Sequence, residues 1–386
     1  MKYIFNLTIL SFQFDIKPSM SGMGYRIWEM CQALVNIEDL KIKIIAPVCE
    51  GLSHKGIVLE VLNINTIEKY ISESDIFYVN FGTPPGVISL LKKYKKKIIF
   101  DALMTPIETL EYQSFKASSL ESQDLTFENT IVNYKHIIKN TDYFITGSYE
   151  EKEIMVGQLL MEGRINHKTY KTIDHMIDII PIGYNRDILK SVSQVEETFS
   201  PVKTYVWNGG LWNHYSTKIL LKSIKDIAEI DKNIRLEFLY KSNTDTYRNV
   251  EKFINNEFLV NSILLDKEKL DYCNRHKKLN SSHAIIVIVD KSIESHTTLR
   301  LRIRDVFLYN KPIIATKYGL LGRFIEDNKI GVTVDNTESE IKAAITRLSN
   351  DSVFYNKCVE QIKKIKDQFC YENNLFNLVS YIKKRE

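Results

Sequence analysis

The chain has 386 residues, 44% of them apolar and 26% charged, with only 15 glycines and 8 prolines. This length suits two ordinary domains, each with a sizeable core, and the composition excludes a disordered, collagen-like or disulfide-dense chain. A net charge of +4 is too close to balance for a dedicated nucleic-acid surface, so no nucleic-acid partner is expected.

The first segment, Ile4–Leu10, reads as a strand. Asn6, Thr8, Gln13 and Asp15 interrupt its apolar run, and no small-residue cleavage site of a signal peptide follows. Further strands are expected at Ile42–Ala46, Ile76–Val79, Ile98–Asp101, Tyr143–Thr146 and Ile177–Ile180, where short runs are rich in β-branched and aromatic residues. Between them, Tyr25–Asn36 carries Ile27, Cys31 and Leu34 at helical spacing, and Tyr149–Met161 continues as a helix capped by Ser148. The second half repeats the scheme, with strands at Thr204–Trp207, Leu236–Tyr240, Ile285–Val289, Ile313–Ala315 and Gly331–Val334. Helices are expected at Ser216–Ile230, Thr297–Leu308 and Glu338–Leu348, the last opened by a Thr337/Glu340 capping box.

Strands alternating with helices indicate parallel sheets covered by helices, here two Rossmann-like domains. The boundaries that follow are an N-terminal Rossmann-like domain over 1–185, a polar linker over 186–202, a C-terminal Rossmann-like domain over 203–362, and a helical tail over 363–386. No run approaches the about 18 apolar residues of a membrane span. The lysine-rich run Lys92–Lys97 reads either as a solvated helix end or as a site of attraction to anionic lipid. Five scattered cysteines without a C-x-x-C pair suggest neither a disulfide framework nor a zinc site, and fit a reducing, cytoplasmic setting.

Ligands of open parallel sheets bind at the carboxyl ends of the strands. After the first strand, Ser19–Arg26 contains Gly22 and Gly24 at a helix start, followed by Arg26, and is a candidate loop for an anionic or hydroxylated ligand, expected to be mobile. After the fourth, Asp101 and Glu108 are candidates to position a hydroxyl or act as base, against a reading of Asp101 as a helix cap. Ser148 offers a hydroxyl at the next helix start, and an N-cap fits it better than a nucleophile. In the second half, Gly209 and Gly210 allow close backbone approach, beside the aromatic surfaces of Trp207 and Trp212. The segment Asp290–Asp305 combines Glu294, Ser295, His296, Thr297 and Thr298 with Arg300, Arg302 and Arg304 at alternate positions. On one helix such arginines point to different faces, so at least one turns inward toward a carboxylate or a pyrophosphate.

Taken together these segments resemble the GT-B glycosyltransferases, in particular the family 4-like retaining enzymes of bacterial surface-polysaccharide pathways. Asp305 lies seven residues before Pro312, as the second glutamate of that family's paired-glutamate motif does, while Thr297 falls at the first glutamate's place. One branch of the family is similar in three further segments: Glu294, Arg300, Arg302 and Asp305; Trp207, Gly209, Gly210 and Trp212; and Asp101, Pro106 and Glu111. The resemblance implies two Rossmann-like domains with parallel sheets facing a central cleft, followed by C-terminal helices. It implies a nucleoside diphosphate sugar as donor, bound by the domain over 203–362, a glycan or lipid-linked glycan as acceptor, bound by the domain over 1–185 through Gly22, Gly24, Arg26 and Ser148, and retention of configuration. Asp305 would hold the donor ribose, Arg300 or Arg302 would neutralise the diphosphate, and the N–H groups around Ser295–Thr298 would add a helix-end field. No cofactor or metal is expected, since D-x-D, H-E-x-x-H and H-x-H spacings are all absent. His214 and His296 are the histidines that fall in these segments. A peripheral position at the inner face of the plasma membrane is compatible with the lysine run. The alternatives are a nucleotide-sugar epimerase on the same fold, or a catalytically silent glycan-binding or scaffold paralogue.

Overall fold

The computed structural model describes residues 3–108, 110, 119–193, 201–212, 215–268 and 270–384. The chain divides into two compact units: Met1–Arg186 joined by Cys370–Glu386, and Asp187–Phe369.

The first unit is built on a parallel sheet of seven strands: β1 Phe5–Leu10, β2 Leu40–Ala46, β3 Ile57–Val61, β4 Ile76–Asn80, β5 Lys97–Asp101, β6 Tyr143–Thr146 and β7 Ile177–Ile179. Their spatial order is β3-β2-β1-β4-β5-β6-β7. The chain therefore runs outward from β1 in one direction, then returns to β4 and runs in the other, and the reversal lies between β1 and β4. Alternation along β4 and β5 sorts the side chains by face. Phe77, Val79, Ile98 and Phe100 enter an apolar core with Phe144 and the helices on that side. Tyr78 and Asp101 point to the other face, where the helix Gly22–Leu34 packs.

The second unit has six parallel strands: β8 Lys203–Trp207, β9 Ile234–Phe238, β10 Ile263–Leu265, β11 Ala284–Val287, β12 Ile313–Thr316 and β13 Gly331–Val334. Their order is β10-β9-β8-β11-β12-β13, with the reversal between β8 and β11. Of the thirteen strands, β3 and β10 were not expected. β3 alternates only weakly between buried and exposed positions and β10 has three residues. Both stand at sheet edges, with one side of the backbone unpaired.

Three boundaries differ from expectation. The stretch expected as a linker begins with a helix, Arg186–Ser193, and its centre, residues 194–200, lies outside the described residues. The expected tail is not a separate element. The chain up to Phe369 belongs to the second unit, and from Cys370 it joins the first. Leu375, Leu378 and Ile382 are buried there, the Tyr371 N–H donates to the Tyr184 carbonyl at 2.9 Å, and Tyr381 stacks on Tyr143 with ring centroids 4.4 Å apart. Finally, the expected helix Thr297–Leu308 is two helices, Ile293–Thr297 and Ile303–Tyr309. Thr298 is extended, with φ −111° and ψ 133°. The break has a physical cause: residues two apart on a continuous helix are turned about 200° from each other, whereas Arg300 and Arg302 both pack on Tyr215.

The lysine run closes the helix Pro85–Lys93 and opens β5. Lys92 pairs with Asp142 at 3.0 Å, Lys96 donates to the Ser74 carbonyl at 2.7 Å, and Lys97 donates to the Lys384 carbonyl. No helix among the described residues is long and apolar enough to cross a membrane.

Candidate functional site

In the second unit the residues singled out by sequence gather at the carboxyl ends of β8 and β11, the two strands at which the order reverses. After β8 the chain continues as Asn208-Gly209-Gly210-Leu211-Trp212. Arg302 comes from beyond β11 to meet it. Its Nη2 donates to the Gly210 carbonyl at 2.7 Å, and its guanidinium lies 4.6 Å from the Trp207 ring and 4.7 Å from the Tyr215 ring. A Cβ at Gly209 would sit 2.9 Å from that guanidinium, so glycine there permits the close approach. Arg300 takes the other side of Tyr215. Its Nη1 donates to the Tyr215 hydroxyl at 3.2 Å and to Glu294 at 3.1 Å, and its Nη2 to Ser295 Oγ at 2.9 Å.

Asp305 is 1% exposed. Its Oδ1 accepts from Arg304 Nη1 at 2.7 Å and from Arg275 Nη1 at 3.3 Å. Its Oδ2 accepts from Asn208 Nδ2 at 2.6 Å and from Arg275 Nη2. Burial alone would raise this carboxyl's pKa, but the adjacent Arg275 and Arg304 guanidinium groups outweigh it and hold it below the ordinary carboxylate range. His276, hydrogen-bonded to the Tyr309 hydroxyl, is pushed down to about 3 by burial and then by Arg304 and Arg275. It is neutral at pH 7.

These positions revise three sequence-based roles. Asp305 does not offer a free carboxylate to a ribose, because both oxygens are already engaged. Arg300 and Arg302, 5% and 7% exposed, are held by Glu294, Ser295, Tyr215 and the Gly210 carbonyl. They position the two loops and set their field. Glu294 is 6% exposed and serves as the counter-ion of Arg300. The groups left toward solvent are Gly209 and Trp212, with His296, Thr297 and Thr298 at the end of the short helix. His214 lies outside the described residues. Arg275 and Tyr215 were not foreseen: Arg275 stands in a stretch without a motif, and Tyr215 lies just past the segment that ends at His214.

A second contact fixes the turn that carries His296. Gly319, at φ +89°, opens the helix Gly319–Asn328 after β12, and a Cβ on it would fall 1.9 Å from the Ser295 carbonyl oxygen. Gly319→Ala is expected to destabilise the second unit by at least about 1 kcal/mol, read as a lowered midpoint in urea unfolding. An unchanged midpoint would show that this contact yields without cost.

In the first unit the expected catalytic carboxylate and the expected acceptor-binding arginine bind each other. Arg26 Nε donates to Asp101 Oδ2 at 2.8 Å and Nη2 to Oδ1 at 3.4 Å, with both side chains 0% exposed. Tyr78 Oη also donates to Asp101. The rest of the Arg26 fork reaches the carbonyls of Ile180, at 3.1 Å, and Pro181, at 3.2 Å. This corrects both roles. Asp101 is not a free base and Arg26 does not face a ligand; the pair ties the helix Gly22–Leu34 to the carboxyl ends of β5 and β7. Ser148 is an N-cap, accepting from the Glu151 N–H at 3.1 Å. Ser21 caps the helix that starts at Gly22, while Gly24 is buried below the segment Asp15–Met20. That segment is not a free loop: Ile16 is buried and forms a β-bridge with Cys49. Glu108 ends the short helix Pro106–Glu108; its side chain, like Glu111, lies outside the described residues. Among the described residues no group of three or more His, Cys, Asp and Glu side chains could hold a metal ion.

No protein-family model and no curated protein matches the sequence. Solved structures do match, over nearly the whole length. A glycosyltransferase from Rickettsia africae ESF-5 superposes with a TM-score of 0.67 at 14% identity, covering 99% of this chain and 98% of that one. WaaG, a glycosyltransferase involved in lipopolysaccharide biosynthesis, gives 0.68 at 8% identity, covering 99% and 100%. The fold is that of the GT-B glycosyltransferases. Anabaena Alr3699/HepE, solved in complex with UDP, superposes with a TM-score of 0.65 at 11% identity, covering 98% of this chain and 100% of that one. At such identities the likeness is one of fold, and function has to be argued from the site.

Proposed function

We propose that this GT-B chain is a glycosyltransferase that moves a sugar from a nucleoside diphosphate donor to a glycan or lipid-linked glycan. The observation that carries the reading is the buried network at the order reversal of the second sheet. Four arginines, Arg275, Arg300, Arg302 and Arg304, surround two carboxylates, Glu294 and Asp305, so positive charge exceeds negative in a region of low dielectric. Diphosphate leaves as an anion, and a preorganised positive field is the main electrostatic demand of that departure. The paired glycines, Trp212 and the turn His296–Thr298 are the groups that meet the donor in this reading. In the step itself the bond from the anomeric carbon to the diphosphate oxygen breaks, and a bond to an acceptor hydroxyl oxygen forms. The hydroxyl proton passes to the departing phosphate oxygen. Retention comes with this proposal from the family resemblance, independence of metal from the absence of a D-x-D triplet, and a place at the inner membrane face from the lysine run Lys92–Lys97. UDP in the Anabaena structure makes uridine nucleotides the first to try.

The test is a thermal-shift panel with UDP, GDP and ADP, followed by release of the nucleotide from the matching sugar donor with and without a mixed glycan acceptor. Ligand at 100 times its dissociation constant should stabilise the fold by about 2.7 kcal/mol. Acceptor-dependent release is the expected result. Release without acceptor points to an epimerase, and no shift with any nucleotide removes the proposal.

A further inference from the structure

Among the described residues the network around Asp305 leaves the side-chain oxygen of Asn208 without a donor. A carboxylate offers about four lone-pair sites, and Asp305 receives four N–H donors: two from Arg275, one from Arg304 and one from Asn208. Nothing remains on it for a ribose diol. Asn208 is also 94% buried, with 6% exposure. Its amide nitrogen donates to Asp305 Oδ2 at 2.6 Å and to the Arg302 carbonyl at 3.2 Å. Both partners accept only, which fixes the orientation of the amide and turns Oδ1 away from them. Among the described residues Asn208 Oδ1 has no partner. A buried acceptor left without a donor is costly, because its lost hydration is not replaced. This one stands on the first residue after β8, at the strand-order reversal where sheets of this kind take their ligands.

We propose that Asn208 Oδ1 accepts one ribose hydroxyl of the nucleotide donor, in the place where the family resemblance would put Asp305. This rests on the donor-site reading above. One amide oxygen, pinned from behind by Asp305 and the Arg302 carbonyl, reads a single hydroxyl, whereas a free carboxylate would take both.

The two cases separate by titration calorimetry of the whole chain with UDP, 2′-deoxy-UDP and 3′-deoxy-UDP, or with the same series on guanine or adenine if the panel selects that base. One deoxy analogue is expected to bind about five- to tenfold more weakly than the parent, from the loss of a single neutral hydrogen bond, and the other within twofold. Asn208→Ala is expected to weaken the parent nucleotide by the same factor and to bind parent and analogue alike. Equal binding of all three by the natural chain, an equal loss with both analogues, or a penalty that survives in Asn208→Ala overturns the assignment. The natural chain alone decides the first two outcomes if the variant does not fold. Failure of every parent nucleotide to bind removes the donor-site reading and this assignment with it. Binding of the parent without the single-hydroxyl penalty removes only this assignment.

Discussion

Asp101→Ala is expected to destabilise the first unit by about 3–5 kcal/mol, the usual cost of leaving one partner of a buried ion pair uncompensated. Arg26 and Asp101 are each 0% exposed at the side chain, so no water can replace the lost carboxylate. Burial works against the Arg26 charge, but Asp101 more than restores it and the guanidinium stays protonated. Burial, with the Asp101 charge beside it, likewise drives the Tyr78 hydroxyl well above its usual range, so it remains a donor to Asp101. Urea unfolding followed through Trp28, which sits on the helix Gly22–Leu34, reads this unit. The double replacement Arg26→Met with Asp101→Leu should recover most of the loss, because an apolar pair of similar volume carries no desolvation cost. If Asp101 were instead a free base, Asp101→Asn would leave stability intact and remove turnover.

Asp305→Ala should destabilise the second unit by a similar 3–5 kcal/mol, since it leaves Arg275 and Arg304 facing each other without their shared anion. Its pH dependence separates it from the histidines of the same unit. The Asp305 carboxyl is held below its unfolded value near 3.9, so its contribution is complete above about pH 4 and is lost as pH falls through the lower folded value. His276 is held at about 3 and His283 at about 4, both chiefly by burial. Their unfolded forms bind protons first, so stability is complete above about pH 6.5 and falls as pH drops from there toward 4. Each histidine contributes a slope of about 1.4 kcal/mol per pH unit within that window. Denaturant midpoints measured from pH 7 to 3 should therefore decline in two stages, and Asp305→Ala should weaken the second stage while leaving most of the first. A flat profile between pH 6.5 and 4 would mean that the two histidines are solvated.

Much of the architecture is written locally. Short, continuously apolar runs rich in β-branched and aromatic residues, such as Ile76–Val79 and Ile285–Val289, have few alternatives to buried strands. Caps at Ser148 and Thr337 mark helix starts by a single side-chain bond each. Two edge strands leave a fainter trace: β3 exposes Val58 and Val61 and carries Glu60 within its run, and β10 has only three residues. The helix break at Thr298 leaves none, because the benefit of turning Arg300 and Arg302 onto one tyrosine depends on a ring more than eighty positions earlier in the chain.

The sites divide in the same way. Order and spacing along the chain were enough to bring out Asp101, the Gly209–Gly210 pair and the Glu294–Asp305 segment, since chemistry-bearing residues at strand ends stand out against an apolar background. Spacing does not say which way a charge faces. Asp101 closes onto Arg26, 75 positions away, and Asp305 onto Arg275, 30 positions away. Sequence alone thus determined the alternating α/β plan and the segments that line the strand ends, because both rest on contacts within a few residues. Only the tertiary structure decided which of those charges are consumed in buried pairs and which acceptor, on Asn208, is left open, because burial and pairing are set by residues brought together from distant parts of the chain.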